Sequence, residues 1–201
     1  MPQGNNGAST AVVVEVPRIN VRQMQVTLIG DSALISHRWS DKAKKEMLDK
    51  QQLKAKQAKG AKDPERDYRE SLYAHPEGGH GFPCVAFKAA AVSACRFTDG
   101  IKMTEARGAF HVNGELARIE GEASMREDMV RIGMGTADIR YRGEFRDWRT
   151  TLTITYNADV FSQAQIVNLF NLAGFGVGVG EWRPEKDGSY GRFHVLEGAA
   201  A

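Results

Sequence analysis

The chain has 201 residues, with 27 lysines and arginines against 25 aspartates and glutamates and 42% hydrophobic residues. This length predicts a single domain, and no apolar run reaches the ~20 residues of a membrane-spanning helix. The start MPQGNNGAST lacks the pattern of a secretory signal, and Cys84 and Cys95 lack the spacing of a zinc site or disulfide framework, so we expect a cytoplasmic protein without metal or cofactor.

We expect one domain over residues 19–197, with flexible tails at 1–18 and 198–201 and a helical insertion at about 40–72. Residues 19–29 predict the first core strand, because apolar and polar side chains alternate along them.

The predicted insertion is strongly basic. Residues 42–62 hold eight lysines against Glu46 and Asp49, a local excess of six positive charges. The helix is expected to end at Gly60 and Pro64, and its apolar stripe is so thin that it should project from the domain. Two explanations stay open, a solvated helix face and a surface for a polyanion.

Residues 75–83 are a glycine-rich approach to a second helix over 84–97, where Lys88 and Arg96 share one polar side. The short apolar segments on either side of Asn113 and Gly114 predict a β-hairpin, since this dipeptide is the commonest two-residue hairpin turn.

Strand patterns continue over residues 129–133, 138–145 and 149–157. A third helix follows, with a capping box formed by Ser162 and Gln165 at its start and Gly174 at its end.

This order of strand, helix, hairpin strands, helix and strand is that of an α+β, ferredoxin-like (split βαβ, RRM-like) fold. The antiparallel sheet carries helices on one face and leaves the other free for a partner such as single-stranded nucleic acid.

The glycines of GFGVGVGEWRPEKDGSYGRF, residues 174–193, follow a helix and precede a strand. A dinucleotide-binding fingerprint has the opposite order, strand first and helix second, and no P-loop pattern occurs in the chain. Nucleotide hydrolysis therefore has no support.

Two segments resemble the RAMP superfamily, the ferredoxin-like subunits of CRISPR effector complexes. GVGVGEWRPEKDGSYGRF is similar to the glycine-rich loop that RAMP proteins carry before their last strand. GFPCVAFKAAAVSACR, residues 81–96, resembles the segment at their first helix through Pro83, Lys88, Ala91 and Arg96. The resemblance spans residues 19–197 and implies a nucleic-acid-binding subunit that multimerises along the strand.

Arginine is dense near RYRGEFRDW, where Tyr141, Phe145 and Trp148 lie between the cations. Cations for phosphates and flat rings for bases are the mixture used by single-strand binders. The equally weighted alternative is that the rings belong to the core and that Glu144 and Asp147 pair with the arginines.

Several side chains are candidates for contacts with nucleic acid, Trp182 by stacking on a base and Arg183 by contacting a phosphate. The alternative for these two is an ordinary turn before a strand. The candidate residues are Arg38, Lys54, Lys56, Lys59, Lys88, Arg96, Arg140, Arg142, Gly178, Gly180, Trp182, Arg183 and Lys186.

The leading hypothesis is a non-catalytic protein that binds single-stranded RNA or DNA and forms a homo-oligomer or filament along it. One alternative is a RAMP-type endoribonuclease that uses His37 as its general acid or base. Another is a structural or adaptor protein of a phage or mobile element, with the basic arm contacting another protein. His75, His80 and Cys84 match no common metal-site spacing.

Overall fold

The computed structural model describes residues 16–39, 41–54, 61–132 and 135–196. The strands are β1 Val21–Gly30, β2 Leu34–Ser36, β3 Tyr73–Ala74, β4 His80–Pro83, β5 Phe110–Val112, β6 Leu116–Ile119, β7 Ala123–Ile132, β8 Thr136–Phe145, β9 Arg149–Asn157 and β10 Phe193–Val195. The helices are α1 Asp41–Gln51, α2 Pro64–Ser71, α3 Cys84–Ala94, α4 Met103–Ala109 and α5 Gln163–Gly176, with 3₁₀ turns at Cys95–Phe97 and Pro184–Lys186. Within these residues, no helix is long and apolar enough to cross a membrane.

The main sheet confirms the predicted α+β, ferredoxin-like fold. Its strand order is β10–β1–β9–β5, and every neighbouring pair is antiparallel. Helix α3 lies in the connection from β1 to β5, and α5 connects β9 to β10. Two βαβ units are therefore interleaved, with a strand of one unit between the two strands of the other.

The core lies between one face of this sheet and the helices α3 and α5. Met24, Val26 and Leu28 are buried along β1, as their alternation predicts. Phe87 of α3 packs against the rings of Phe82, Trp148 and Phe193 at centroid separations of 5.9 to 6.5 Å. Helix α5 begins with the predicted capping box of Ser162 and Gln165 and extends two residues beyond Gly174.

The opposite face of the main sheet is mostly polar, with Val21 and Ile29 of β1 as its apolar side chains. Gln23, Gln25 and Thr27 of β1 lie beside threonines of β9, and His111 and His194 extend this surface onto β5 and β10. Neither Phe, Tyr nor Trp lies on this face of the four strands. The face is open, as predicted, but it offers no ring of these types on which a base could stack.

The predicted hairpin around Asn113 and Gly114 is wrong. The backbone does bend at Gly114, which has a φ of 88°. However, β5 pairs with β9, whereas β6 leaves the main sheet and pairs with β4 in a three-stranded sheet β3–β4–β6. The turn signal was correct, but the long-range partners of the two strands decide which sheet each strand joins.

The insertion contains two separate helices. α1 ends at Gln51, and its described apolar side chains Met47 and Leu48 are exposed, as expected for a projecting helix. Pro64 begins α2 and does not end a helix, because Asp63 caps the helix by accepting a hydrogen bond from the Arg66 amide. α2 packs on β8, where the Ser71 hydroxyl accepts a hydrogen bond from the Gly143 amide.

β7 and β8, of ten residues each, form an antiparallel hairpin that joins β2 in the sheet β2–β8–β7. In the main sheet, a backbone hydrogen bond of 2.8 Å from Gly30 to Trp148 extends the pairing of β1 with β9 by one residue. Lys56, Lys59 and the tail residues 1–15 and 197–201 lie outside the described residues.

Candidate functional site

The glycine loop, residues 177–192, is part of the fold and not a linker. The Glu181 amide donates a hydrogen bond to the carbonyl of Ile35 in β2. The Gly191 amide donates to the carbonyl of Ala33, the residue directly before β2. A further bond joins Val179 to Gly191 across the loop. The loop therefore has one defined conformation beside β2.

Gly178 and Gly180 allow the close approach of this loop to its neighbours. Their φ angles are 68° and 81°, in the left-handed region. A Cβ at Gly180 would lie 2.6 Å from the Ile35 carbonyl oxygen, and one at Gly178 would lie 2.7 Å from the Pro184 ring. These two candidates have a clear conformational reason to be glycine.

Trp182 also has a positive φ, 51°, which is uncommon for a large side chain. Its ring lies 6.1 Å from that of Tyr190, and the guanidinium groups of Arg126 and Arg142 lie 5.4 and 5.5 Å from its centroid. Such cation–π contacts hold the indole in place. Stacking of Trp182 on a base stays a prediction, and Trp182 is half-buried.

A charge network supports Trp182 from the β7–β8 hairpin. Arg126 donates to Asp128 and to Glu144, both at 2.7 Å, and to the Tyr190 hydroxyl at 3.2 Å. Burial alone would lower the pKa of Arg126, but these hydrogen bonds outweigh it and raise the pKa above its ordinary value. Arg126 is therefore a fixed cation.

The arginine-rich stretch is mostly occupied within the protein. Phe145 and Trp148 are buried in the core, which is the alternative given for them above. Arg142 is only 5% exposed and forms an ion pair of 3.4 Å with Asp128. Arg140 pairs with Asp138, which also binds Lys62. Of the three interleaved rings, only Tyr141 lies outside the core.

A cleft of about 360 Å³ lies between the glycine loop and α3. The α3 wall is apolar and contains Val85, Ala86 and Ala89. The opposite wall is formed by loop residues 177–181, 183 and 185, and His37 and Tyr73 also line the cleft. Its volume lies in the range of small-molecule and base-sized pockets. It brings together Gly178, Gly180 and Arg183 with His37, residues that are far apart in the sequence.

Two carboxylates line the cleft, Glu181 and Glu185. The hydrogen bond from His37, at 3.2 Å, and the nearby arginines hold the pKa of Glu181 below its ordinary value, although burial opposes them. Burial raises the pKa of Glu185, but hydrogen bonding from Arg183 outweighs it and the net shift is downward. Both groups are therefore ionised at neutral pH.

The cations of the cleft are held by these carboxylates or by nearby backbone. Arg183 donates to Glu185 at 3.0 Å and to the Gly180 carbonyl at 3.2 Å. Arg96 donates to the other oxygen of Glu185 at 2.7 Å. Arg38 lies close enough to Tyr73 for its charge to act on the phenol. The interior of the cleft consequently has mixed charge, and Arg38 and Arg96 belong to its surroundings.

The other candidate cations are dispersed. Lys88 contacts His111 at the β5 edge, and does not share a partner with Arg96. Lys186 is exposed in the 3₁₀ turn of the loop, and Lys54 pairs with Asp49 just beyond α1. The structure therefore gathers the loop residues at one cleft and leaves the lysines apart from it.

Sequence reasoning missed Trp39, whose side chain is 54% exposed. It lies two residues after His37 of the cleft and two residues before the start of the basic helix α1. An exposed tryptophan between an arginine-containing loop and a lysine-rich helix is a signal that the sequence HRWSDKAKK contained. It adds an available ring that the buried Phe145 and Trp148 do not supply.

No family model and no curated protein matches the chain. Among solved structures it is similar to the crystal structure of Cmr6 from Pyrococcus furiosus, with 9% sequence identity and a TM-score of 0.42. The match covers 89% of this chain and 100% of that one. The ferredoxin-like fold of this chain is established by its own strand order, β10–β1–β9–β5.

Proposed function

We propose that this protein binds single-stranded nucleic acid, RNA or DNA, as a non-catalytic member of the RAMP superfamily. The observation that carries the proposal is the open cleft between the glycine loop and α3, which is lined by His37, two residues before the exposed Trp39. The motif resemblance of the same loop and of the α3 segment supports it.

We propose that different residues contact the bases and the phosphates. Trp39 and the cleft take bases, since an indole ring favours stacking and the apolar α3 residues favour contact with the face of a base. Lys186 of the loop and Lys45 and Lys50 of α1 contact phosphates, because these three side chains are exposed. We further propose that several copies bind side by side along one strand.

Fluorescence anisotropy with a labelled 20-nucleotide oligouridine tests the proposal. We expect binding that weakens steeply from 50 to 300 mM salt, since phosphate contacts release counterions. The double variant Lys45→Glu/Lys50→Glu on α1 should bind about tenfold or more weakly at low salt, with a shallower salt slope.

The matched control reverses two exposed charges at α4, those of its N-cap residue Lys102 and of Arg107, in the variant Lys102→Glu/Arg107→Glu. This variant should retain most of the affinity, because α4 packs against α3 and β5 and contributes nothing to the cleft lining. Absence of binding at low salt, or binding without salt dependence, would contradict the proposal. Tight self-assembly without oligonucleotide affinity would favour the adaptor alternative.

The pair of His37 and Glu181 supports a second candidate, an endoribonuclease. A histidine whose Nδ1 is bonded to a carboxylate is oriented as general acids and bases are in many active sites. If this candidate is correct, wild-type protein cleaves unstructured RNA and His37→Ala lowers the rate at least 100-fold, in the range typical of general acid–base catalysis. Gel analysis that finds intact RNA with the wild type excludes it.

A further inference from the structure

Glu181 is the one carboxylate of the cleft that has unused hydrogen-bonding capacity. Both oxygens of Glu185 accept from guanidinium groups, those of Arg96 and Arg183. Glu181 accepts from His37 at one oxygen, and its other oxygen lies 3.9 Å from Arg142, beyond hydrogen-bonding distance. Its side chain is 37% exposed. An ionised carboxylate has about four acceptor sites, so most of those on Glu181 remain open.

This arrangement selects the chemistry of what enters the cleft. A phosphate is disfavoured, because the ionised Glu181 and Glu185 repel an anion. A neutral ring with hydrogen-bond donors on its edge is favoured, since its faces meet the apolar wall of Val85, Ala86 and Ala89 and its edge meets the carboxylate. Nucleobases are read in this way when they are unpaired.

We propose that the cleft binds an unpaired guanine, with Glu181 as the residue that specifies it. This inference rests on the proposed nucleic-acid binding and adds a base preference to it. Guanine has two adjacent donors on its Watson–Crick edge, N1–H and the 2-amino group, which fit the two oxygens of one carboxylate. Adenine and cytosine place an amino group next to an acceptor, and uracil places its one N–H between two carbonyls.

The test compares three labelled oligouridine 12-mers that each carry three isolated substitutions, by guanosine, inosine or 7-deazaguanosine. Inosine keeps N1–H but lacks the 2-amino group, whereas 7-deazaguanosine keeps both donors. We expect the guanosine and 7-deazaguanosine oligonucleotides to bind alike and the inosine one to bind about tenfold more weakly. Lithium buffer and isolated guanosines prevent four-stranded structures.

The variant Glu181→Gln keeps the size of the side chain and an acceptor for His37, but it offers one acceptor oxygen in place of two. Its ratio of guanosine to inosine affinity should fall to about one, while the exposed control Glu105→Gln should keep the wild-type ratio. Equal binding of the guanosine and inosine oligonucleotides by wild type, or an unchanged ratio in Glu181→Gln, overturns the guanine assignment. Failure to bind any of the three contradicts the proposed function itself.

Discussion

Replacement of Arg126 by methionine is expected to lower the free energy of unfolding by about 3 kcal/mol at neutral pH, since removing one member of a buried ion pair leaves the other charge without a partner. Arg126 holds Asp128 and Glu144, whose side chains are almost fully buried. Arg142 and Arg146 remain as secondary partners and limit the loss. Urea unfolding monitored by circular dichroism measures the free energy of unfolding of the wild type and the variant.

The pH dependence of this loss of stability tests whether the ion pair of Arg126 with Glu144 causes it. Burial raises the pKa of Glu144, but hydrogen bonds from Arg126 and Arg146 outweigh it and leave the pKa below its ordinary value of 4.5. A depressed pKa stabilises the fold above that ordinary value, and this contribution is lost as the pH falls through the folded-state pKa. Without Arg126 the folded-state pKa of Glu144 rises. The stability difference between wild type and Arg126→Met should therefore narrow as the pH is lowered below 4.5.

Arg149→Met is the matched control. Arg149 also pairs with a glutamate, Glu120, but the two side chains are 60% and 48% exposed. Such a surface pair contributes at most about 1 kcal/mol. The prediction is contradicted if both variants lose the same free energy of unfolding. It is also contradicted if the stability difference between wild type and Arg126→Met does not change with pH, since the buried ion pairs of Arg126 would then not be its cause.

The main sheet and α5 were predictable because their signals are local and consistent. β1 has a period of two that places Met24, Val26 and Leu28 on one face, and α5 is defined at its start by a capping box. Each of these segments therefore forms the secondary structure that its own sequence pattern favours. Their order along the chain then leaves few topologies besides the ferredoxin-like one.

The sheets outside the main one depend on partners that no local pattern specifies. β6 was predicted to pair with β5, yet it pairs with β4, which the sequence presents only as a glycine-rich approach to a helix. Such a choice is made by tertiary packing, which strand propensity does not encode.

The candidate site could be predicted only in part, because it too depends on contacts between distant segments of the chain. The glycine loop could be placed beside a strand from its position alone, but its cleft depends on His37 and α3, which lie about 80 to 145 residues before it. The arginine stretch could not be assigned from sequence, because the carboxylates that pair with Arg142 include Asp128 and Glu181, in other segments. Charge density along a chain does not show which charges meet in space.

Substitution of Gly191 by alanine is expected to lower the free energy of unfolding by about 3 kcal/mol, the sum of left-handed backbone strain and overpacking. The φ of Gly191 is 64°, and an added Cβ would lie far inside the van der Waals contact distance of the Val179 carbonyl oxygen. The same residue donates to Ala33 and accepts from Val179, so its backbone has no room to move away.

The matched control is Gly79→Ala in the turn between β3 and β4. Gly79 has a similar φ, 74°, but nothing lies within 4 Å of an added Cβ. Its replacement should therefore lower stability by the strain alone, about 1 kcal/mol. Urea titrations give the free energy of unfolding of both variants. Both include the backbone strain, so the difference between their losses of stability measures the overpacking at Gly191 alone. If Gly191→Ala and Gly79→Ala lose the same amount, the loop yields to the added methyl group. A wall that yields in this way would not hold Glu181 in one position against a bound base.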